Sequence, residues 1–305
     1  MLAVPAFFSA SRIELRQPTV VARVVLDGAM LAARHVIFTD LDGTLLDRDT
    51  YSWAAAGEAL EEIERRRVPL VFVSSKTRAE VEVLRQELGN THPFVTENGG
   101  GLFIPNGYFN QPMTGSSRAG HYHCFGLGKP YSEVVAAREE IAQAAGTEVA
   151  GFHDMSVREV AENTGMNPRQ AELAREREFD EPFFFAGASE QAIAKFVELA
   201  GQRGFQVTRG GRFWHLFSGS DKGRAVRQLM GLYRKAMSGR VRSIGLGDSA
   251  NDIPMLAAVD QAVLLPRADG ELDAEAVAKL RSVTRAQLAG PAGWNDIVLH
   301  ILRGR

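Results

Sequence analysis

Cysteine, long apolar runs and an excess of charge of one sign are all missing or scarce in this sequence. Cys124 is the single cysteine among 305 residues, which excludes an internal disulfide and a cysteine-rich metal site. No apolar run approaches the about 20 residues of a membrane-spanning helix, so we expect no membrane partner. The 35 basic and 37 acidic residues give a net charge of -2, which disfavours a nucleic-acid partner.

The first residues, "MLAVPAFFSA", are apolar, but they lack the basic start of a signal peptide and contain Pro5. A single cysteine is compatible with a reducing compartment, and we expect a cytoplasmic location. With 45% hydrophobic residues, the chain can form one large or two modest domains. The sequence does not predict an oligomeric state.

Apolar strand patterns alternate with helical patterns from His35 onward, which predicts a doubly wound parallel sheet of the α/β class. The alternation of strand and helix patterns changes after "GLFIPNGYF". We interpret this segment as a hairpin that turns at Asn106–Gly107. Amphipathic strands and helices follow, with an N-terminal capping box at Ser156 and Glu159. We therefore predict a weakly ordered extension (1–29), a core domain (30–118 and 217–305) and an inserted α+β cap domain (119–216).

Polar side chains follow three of the predicted buried strands. Asp40 and Asp42 end the first strand in "HVIFTDLDGTLLD", Ser74 and Ser75 follow "LVFV", and Asp248 follows "SIGLG". Ligands of open parallel sheets bind beyond the carboxyl ends of the strands, so we expect one shared crevice. An exposed Asp-x-Asp turn is common, but Gly43 and Thr44 after a buried strand, with a distant second acidic cluster, favour a functional site.

The second acidic cluster is "GDSANDIPML", in which Asp252 lies four residues after Asp248. Clustered carboxylates are stable beside a hard cation, and Mg²⁺ prefers a few carboxylates together with phosphate and water. The alternative is a helix N-terminus with acids in its first turn. Lys222 in "GSDKGRAV" can hold a phosphate oxygen and a charged nucleophile together. Its alternative is a surface lysine, which the helix dipole disfavours at this end of a helix.

These four elements, in this order, resemble the motifs of the haloacid dehalogenase superfamily of aspartyl-phosphate phosphohydrolases, over about residues 35–300. The resemblance implies a Rossmann-like core, with Asp40 as nucleophile and Asp42 as general acid and base. It implies that Ser74 and Lys222 bind the phosphoryl oxygens. It also implies Mg²⁺ held by the Asp40 carboxylate, the Asp42 backbone carbonyl and Asp248, with Asp252 near.

The position of the insertion indicates the branch of the superfamily. Only about 30 residues separate Asp42 from Ser74, too few for a cap at that point, and the insertion after the third strand resembles the branch with a large α+β cap. "SSKT", "TENGGGLFIP", "REREFDEPF" and "GGRFWHL" resemble the mannosyl-3-phosphoglycerate phosphatases within that branch. The expected substrate is a small phosphorylated glycoside, and hydrolysis would yield mannosylglycerate, a compatible solute.

Other readings stay open. They are a glucosyl-3-phosphoglycerate phosphatase, a broader sugar phosphatase, and a non-catalytic phosphosugar-binding module, which the intact acidic set argues against. Arg177 could belong to a solvated charge run, and His215 could be a packed strand histidine. The residues that the resemblance and their positions suggest for substrate binding are Ser75, Lys76, Glu97, Asn98, Arg177, His215 and Asn251.

Overall fold

The computed structural model describes residues 34–209, 213–219 and 221–304, so the predicted extension over residues 1–29 lies outside the described part. The strands of the described part are β1 Arg34–Thr39, β2 Leu70–Val73, β3 Phe94–Thr96, β4 Gly101–Pro105, β5 Ser117–Ala119, β6 Tyr122–Gly126, β7 Val149–Gly151, β8 Asp180–Phe185, β9 Phe205–Arg209, β10 Trp214–Ser218, β11 Val241–Gly247, β12 Gln261–Leu264 and β13 Thr284–Arg285. The helices are α1 Gly57–Arg65, α2 Arg78–Glu87, α3 Tyr131–Ala145, α4 Val157–Thr164, α5 Pro168–Arg175, α6 Glu190–Gln202, α7 Lys222–Ala236, α8 Ile253–Leu256, α9 Ala274–Lys279 and α10 Gly290–Arg303.

Nine strands form the larger sheet, in the order β13-β12-β11-β1-β2-β3-β4-β6-β5. The first six of these strands are parallel, and β4, β6 and β5 extend the sheet in antiparallel fashion. Buried apolar strands of this kind need cover on both faces. Helices α1, α2 and α10 contribute to one apolar cluster, and α7, α8 and α9 contribute to the other. The predicted doubly wound α/β fold is confirmed.

A second sheet of four antiparallel strands has the order β7-β8-β10-β9. Helices α3 and α6 bury an apolar cluster against it that includes Phe183, Phe196 and Leu216. Helices α4 and α5 form a smaller cluster around Phe152 and Val160. Helix α4 begins with the predicted capping box of Ser156 and Glu159. This inserted α+β unit is the cap that the sequence predicts.

The boundaries of the cap differ from the predicted ones. Strand β6 falls in the segment predicted as cap and β5 reaches its first residue, Ala119, yet β6 pairs with β4 in the larger sheet. Strand β10 runs from Trp214 to Ser218 and so crosses the predicted boundary at residue 216. In the structure, the cap therefore begins after Gly126 and ends with Ser218.

Strand β6 carries the single cysteine, Cys124, which is buried opposite Phe103 of β4. Helix α3, at the start of the cap, follows β6 within a few residues. No helix in residues 34–304, as far as the structure describes them, has the length and apolar character of a membrane span.

Candidate active site

Three neighbouring parallel strands of the larger sheet end side by side. Strand β1 lies between β11 and β2, parallel to both, and its last residue, Thr39, is opposite Leu246 of β11 and Phe72 of β2. The residues that follow the three strands are therefore neighbours. Asp40 follows β1, and its backbone N–H donates to the carbonyl of Leu246 at 2.9 Å. Ser74 follows β2 and Asp248 follows β11, so the polar residues after the three strands lie at one edge of the sheet.

Three carboxylates lie together at this edge. Ligand oxygens of Asp40, Asp248 and Asp252 are within 4.8 Å of one another, and all three residues are buried. Asp252 is fixed by the backbone N–H groups of Asp248 and Ser249, which donate to its Oδ2 at 3.1 and 3.2 Å. A short turn of 3-10 helix over Ala250–Asp252 brings Asp252 back beside the strand end.

Lys222 supplies a buried positive charge to this cluster. Its Nζ donates to Asp40 Oδ1 at 2.6 Å and to Asp252 Oδ1 at 2.7 Å, and its side chain is 1% exposed. Lys222 is the first residue of α7, where the helix dipole disfavours a cation, and Asp221 caps the helix by accepting from the N–H of Arg224. The carboxylates of Asp40 and Asp252 compensate for this unfavourable position. Lys222 therefore has specific partners at the place where the sequence suggested a functional lysine.

The electrostatics of the cluster favour an additional cation. Burial and the neighbouring Asp252 raise the pKa of Asp40 well above its usual range, and the same two causes raise the pKa of Asp248 to about 7. Burial would lower the pKa of Lys222, but Asp252 and Asp40 raise it. Three carboxylates face one ammonium group, so a divalent cation would remove the remaining repulsion. Oxygen-only donors of this kind suit Mg²⁺.

Gly43 and Thr44 bring the loop after β1 close to Asp248. Gly43 has φ +79°, and a Cβ on it would lie 2.7 Å from Asp248 Oδ2. Thr44 is fully buried, and its Oγ1 donates to Asp248 Oδ1 at 3.4 Å. Thr44 was not among the predicted site residues. The signal for it was present in the sequence, since a polar β-branched residue follows the glycine of the first motif.

Asp42 and Lys76 form an ion pair beside the carboxylate cluster. Lys76 Nζ lies 3.0 Å from Asp42 Oδ2 and 3.5 Å from Glu80 Oε1. It also lies 4.9 Å from the centre of the Tyr51 ring. The Asp42 side chain is 37% exposed, whereas the side chain of Lys76 is 12% exposed. The pair thus joins the loop after β1 to the loop after β2, with Asp42 partly open to solvent.

The serines and Asn251 occupy the loops around the cluster. Ser74 is buried, and its Oγ accepts from the N–H of Lys76 at 3.2 Å. The carbonyl of Ser75 accepts from Arg177, as described below. Asn251 is half-buried, and its Oδ1 accepts from Ser249 Oγ at 2.7 Å.

Four predicted substrate-binding residues lie instead at the junction of core and cap. Asp180, at the start of β8, connects three of them: its carboxylate accepts from Asn98 Nδ2 at 2.7 Å and Arg177 Nη2 at 3.0 Å, and its Oδ1 lies 2.8 Å from His215 Nδ1. Glu97 is fully buried and accepts from backbone N–H groups of residues 178–180.

The substrate-binding role suggested for Arg177 is not supported by this arrangement. Its side chain is 3% exposed and already has carboxylate partners in Asp180 and, at 3.6 Å, Glu97. The solvated charge run that was the alternative does not fit either, because the guanidinium is enclosed. Sequence reasoning overlooked Asp180, although an acidic pair opening an apolar strand, Asp180–Glu181 before "PFFF", is an unusual pattern that could have indicated it.

The chain is similar to characterised phosphatases over most of its length. A family model for haloacid dehalogenase-like hydrolases matches residues 37–112. A glucosyl-3-phosphoglycerate/mannosyl-3-phosphoglycerate phosphatase from Methanococcoides burtonii is 42% identical over 269 residues, which cover 88% of this chain and 97% of the relative. A mannosyl-3-phosphoglycerate phosphatase from Pyrococcus horikoshii is 36% identical over 232 residues, covering 76% of this chain and 90% of the relative.

Solved structures share the architecture at much lower identity. A phosphatase of the haloalkanoate dehalogenase superfamily from Bacteroides thetaiotaomicron superposes with a TM-score of 0.61 at 17% identity, covering 93% of this chain and 98% of that one. A protein from Thermoplasma acidophilum gives a TM-score of 0.61 at 20% identity, covering 88% and 98%. At these identities the likeness concerns the fold.

Proposed function

Because the chain belongs to the haloacid dehalogenase-like hydrolases, and within them to the family of the phosphatases just described, we propose that it hydrolyses mannosyl-3-phosphoglycerate to mannosylglycerate and phosphate. Glucosyl-3-phosphoglycerate is the second candidate substrate, because the relative from Methanococcoides burtonii is named for both. A cytoplasmic location stays a prediction.

The observation that carries the proposal is the environment of Asp40. One of its oxygens is held by the buried ammonium of Lys222 at 2.6 Å, next to two further carboxylates. Such an arrangement fixes the direction of the carboxylate and leaves its second oxygen free of Lys222. A carboxylate held in this way suits nucleophilic attack on phosphorus, which divides one difficult displacement into two easier ones. A mere phosphosugar-binding module has no need of this set.

The reaction that we propose proceeds in two displacements. The Asp40 carboxylate attacks phosphorus, the bond from phosphorus to the glycerate oxygen breaks, and Asp42 gives its proton to that oxygen. Asp42 then takes a proton from water, whose oxygen attacks phosphorus, and the bond between phosphorus and Asp40 breaks to release phosphate. Lys222 offsets charge on the transferring phosphoryl group, and Ser74 donates to one of its oxygens.

The donor set fits Mg²⁺. We propose that the Asp40 carboxylate, the Asp42 backbone carbonyl and Asp248 hold the ion, with Asp252 beside them. When bound, Mg²⁺ neutralises negative charge on the phosphoryl group and on the carboxylates. The three clustered carboxylates with a single ammonium, described above, support this assignment.

Discrimination among phosphate esters must come from groups beyond the phosphoryl site. We propose that Lys76 binds the glycerate carboxylate, because its ammonium lies beside Asp42 and therefore borders the leaving group. Ser75, Asn251 and His215 are the candidates for hydroxyl groups. His215 is half-buried, with its Nδ1 engaged by Asp180, so only its other ring nitrogen is available for this role.

Phosphate release from mannosyl-3-phosphoglycerate, glucosyl-3-phosphoglycerate and p-nitrophenyl phosphate, with Mg²⁺ and with EDTA, tests the proposal. We expect Mg²⁺-dependent turnover, fastest on one of the two glycosides. Asp40→Asn should reduce the rate by about 10⁴-fold or more. Asp49→Asn, which changes an exposed aspartate in the same loop, is the matched control and should keep wild-type rates. Turnover of the glycosides by a deamidation-free Asp40→Asn enzyme would remove Asp40 as the nucleophile.

Asp42→Asn separates the acid role from the nucleophile. The alkoxide leaving group of a glycoside substrate needs a proton, whereas nitrophenolate needs one far less. The variant should therefore lose more activity on mannosyl-3-phosphoglycerate than on p-nitrophenyl phosphate. An equal loss on both substrates would contradict the role of Asp42 as general acid.

A further inference from the structure

The first three residues after β2, Ser74–Lys76, all have their carbonyl groups engaged by the junction of core and cap. The carbonyl of Ser74 accepts from the N–H of Asn98 at 3.1 Å, and the carbonyl of Lys76 accepts from the N–H of Glu97 at 3.0 Å. The carbonyl of Ser75 accepts from Nη2 of Arg177 at 3.1 Å. A hydrogen-bonded carbonyl is directed at its donor. These three oxygens are therefore turned toward the junction, and their negative ends are kept from a bound phosphoryl group.

Two of the three donors have an unusual backbone conformation. Glu97 has φ 48° and Asn98 has φ 55°, in the left-handed region that non-glycine residues rarely adopt. Such a conformation costs free energy and persists only when the surroundings impose it. Here the segment that leads into β8 imposes the conformation. The Glu97 carboxylate accepts from the N–H groups of residues 178, 179 and 180 at 3.0, 2.7 and 2.9 Å, and Asn98 Nδ2 donates to Asp180 Oδ2.

Arg177 is the only one of the three donors that comes from the cap side of the junction. Its Nε donates to the carbonyl of Asp180 at 3.0 Å, and its Nη2 donates both to Asp180 Oδ1 and to the carbonyl of Ser75. The carboxylates of Glu97 and Asp180 are both fully buried, so the guanidinium is neutralised inside the protein. The same side chain thus contacts the cap strand and the loop of the core that carries Ser74.

We propose that Arg177, Glu97 and Asn98 are positioning residues that hold Ser74–Lys76 in the geometry that binds phosphate, and that the cap segment thereby completes the phosphate site of the core. This inference rests on the proposed function, in which Ser74 binds the phosphoryl group. It differs from a role in reading the substrate, since a disturbed phosphate loop affects every phosphate ester, including p-nitrophenyl phosphate, which has no carboxylate for Lys76 to bind.

Arg177→Met tests the inference. It keeps an unbranched side chain of similar length and removes the donors to Ser75 and Asp180. A misplacement of about 1 Å can cost about 100-fold in rate, so we expect kcat/KM to fall by about 10- to 100-fold on p-nitrophenyl phosphate. On mannosyl-3-phosphoglycerate, whose carboxylate Lys76 also binds, it should fall by at least the same factor. Arg175→Met is the matched control, because Arg175 lies two residues earlier and contacts the carbonyl of Phe152 within the cap. It should keep wild-type rates.

Asn98→Gly provides a second variant in case Arg177→Met does not fold. Glycine tolerates the positive φ and retains the N–H that donates to Ser74, so only the link to Asp180 is lost. A smaller loss, again present on both substrates, is expected. A loss confined to the glycoside would show that these side chains read the substrate, and unchanged rates in a folded variant would show that the junction does not position the loop. Either outcome overturns the inference.

Calorimetric binding of inorganic phosphate, with Mg²⁺ present, gives a readout that does not depend on turnover. The dissociation constant of phosphate should rise about tenfold or more in Arg177→Met and stay unchanged in Arg175→Met. If the wild type hydrolyses none of the substrates, the proposed function fails, but the ratio of these dissociation constants still decides the inference. Equal constants in the two variants, or no phosphate binding by the wild type, would overturn it.

Discussion

His92 is a half-buried histidine whose charged form the fold does not accommodate. Its Nδ1 lies 2.7 Å from the hydroxyl of Tyr108, which in turn lies 2.9 Å from that of Tyr233. Burial, and then the nearby Arg85 guanidinium, lower the pKa of His92 to about 4. The Arg85 guanidinium also donates to the carbonyl of His92 at 2.8 Å, so protonation of the ring would place two positive charges side by side.

The pH dependence of stability follows from this shift. A histidine with a lowered folded pKa contributes fully above its unfolded pKa of about 6.5, and the contribution is lost as the pH falls toward 4. We expect wild-type protein to lose about 2–3 kcal/mol of unfolding free energy from this group between those values. Urea unfolding of wild type and His92→Phe at pH 7 and pH 4.5 measures it. The variant should show a smaller decrease, whereas His121→Phe, at an exposed histidine, should retain the wild-type decrease.

Lys76 and Arg177 show how far single residues could be assigned from the sequence. Both are cations in motifs near the predicted crevice, and both were expected to bind substrate. Lys76 is paired with the partly exposed Asp42, so it borders the site. Arg177 is enclosed by Asp180 and Glu97. The sequence shows the charge of a side chain but not its partners. The core motifs were easier to place, because a strand end locates Asp40 and Asp248 without knowledge of any partner.

Two glycines allow a prediction at the level of structural elements. Gly99 has φ +97°, and a Cβ on it would lie 2.4 Å from the backbone of Asp221, at the start of α7. Gly107 has φ +77°, and a Cβ on it would meet nothing within 4 Å. Both positions disfavour alanine for conformational reasons, by about 1–2 kcal/mol. Only Gly99→Ala also forces the loop after β3 away from the helix that carries Lys222.

Gly99→Ala should therefore be the more damaging of the two changes. Overpacking adds about 1–3 kcal/mol to its conformational cost, and the displaced α7 should lower kcat on all substrates. Gly107→Ala should lose only the unfolding free energy that corresponds to the conformational cost, and it should keep its activity. Urea unfolding and phosphate release on both variants measure these effects. Similar stability and similar rates in the two variants would contradict the tight packing of this loop against α7.

The turn at Asn106–Gly107 shows what local patterns could not predict. We expected a two-residue hairpin there, but β4 ends at Pro105 and the next strand, β5, begins only at Ser117. The strand that returns to pair with β4, on the side away from β3, is β6. The local sequence correctly signals a turn, since Gly107 has positive φ. Which strand returns to pair is decided by contacts that are distant in the sequence. Because these contacts cannot be predicted from local patterns, the beginning of the cap was also misplaced.

Metal binding is expected to affect the stability of the whole molecule. A ligand that binds only the folded state at a concentration of 100 times its dissociation constant adds about 2.7 kcal/mol, which for a chain of this size raises Tm by about 4 °C. We expect this rise when Mg²⁺ replaces EDTA in a thermal unfolding experiment. Without metal, Asp248→Asn should be at least as stable as wild type, because one of three crowded carboxylates loses its charge.

The rise with Mg²⁺ should be much smaller in Asp248→Asn than in wild type. Asp269→Asn removes an exposed carboxylate that pairs with Arg267, and it should retain the full rise. A rise of equal size in both variants would mean that Mg²⁺ stabilises the protein at some other place.

The overall architecture was predictable where the sequence pattern is periodic. Runs such as "LVFV" and "SIGLG" are buried on both faces of the sheet, and their polar ends locate the crevice. The change in the strand–helix pattern along the sequence predicted that a cap exists. It did not predict the limits of the cap, because β6 and the cap strands share one amphipathic pattern. Contacts between core and cap, such as those of Glu97 with residues 178–180, have no signature in the sequence.

The buried thiol of Cys124 can serve as a probe of local opening of the structure. Cys124 is 6% exposed on β6, and burial raises the pKa of its thiol to about 11, so the native state offers a labelling reagent neither access nor thiolate. Labelling then requires that β6 separate from its neighbours. Because no other cysteine exists in the chain, the rate at which a thiol reagent reacts with the folded enzyme reports how often this strand opens, just before the chain enters the cap.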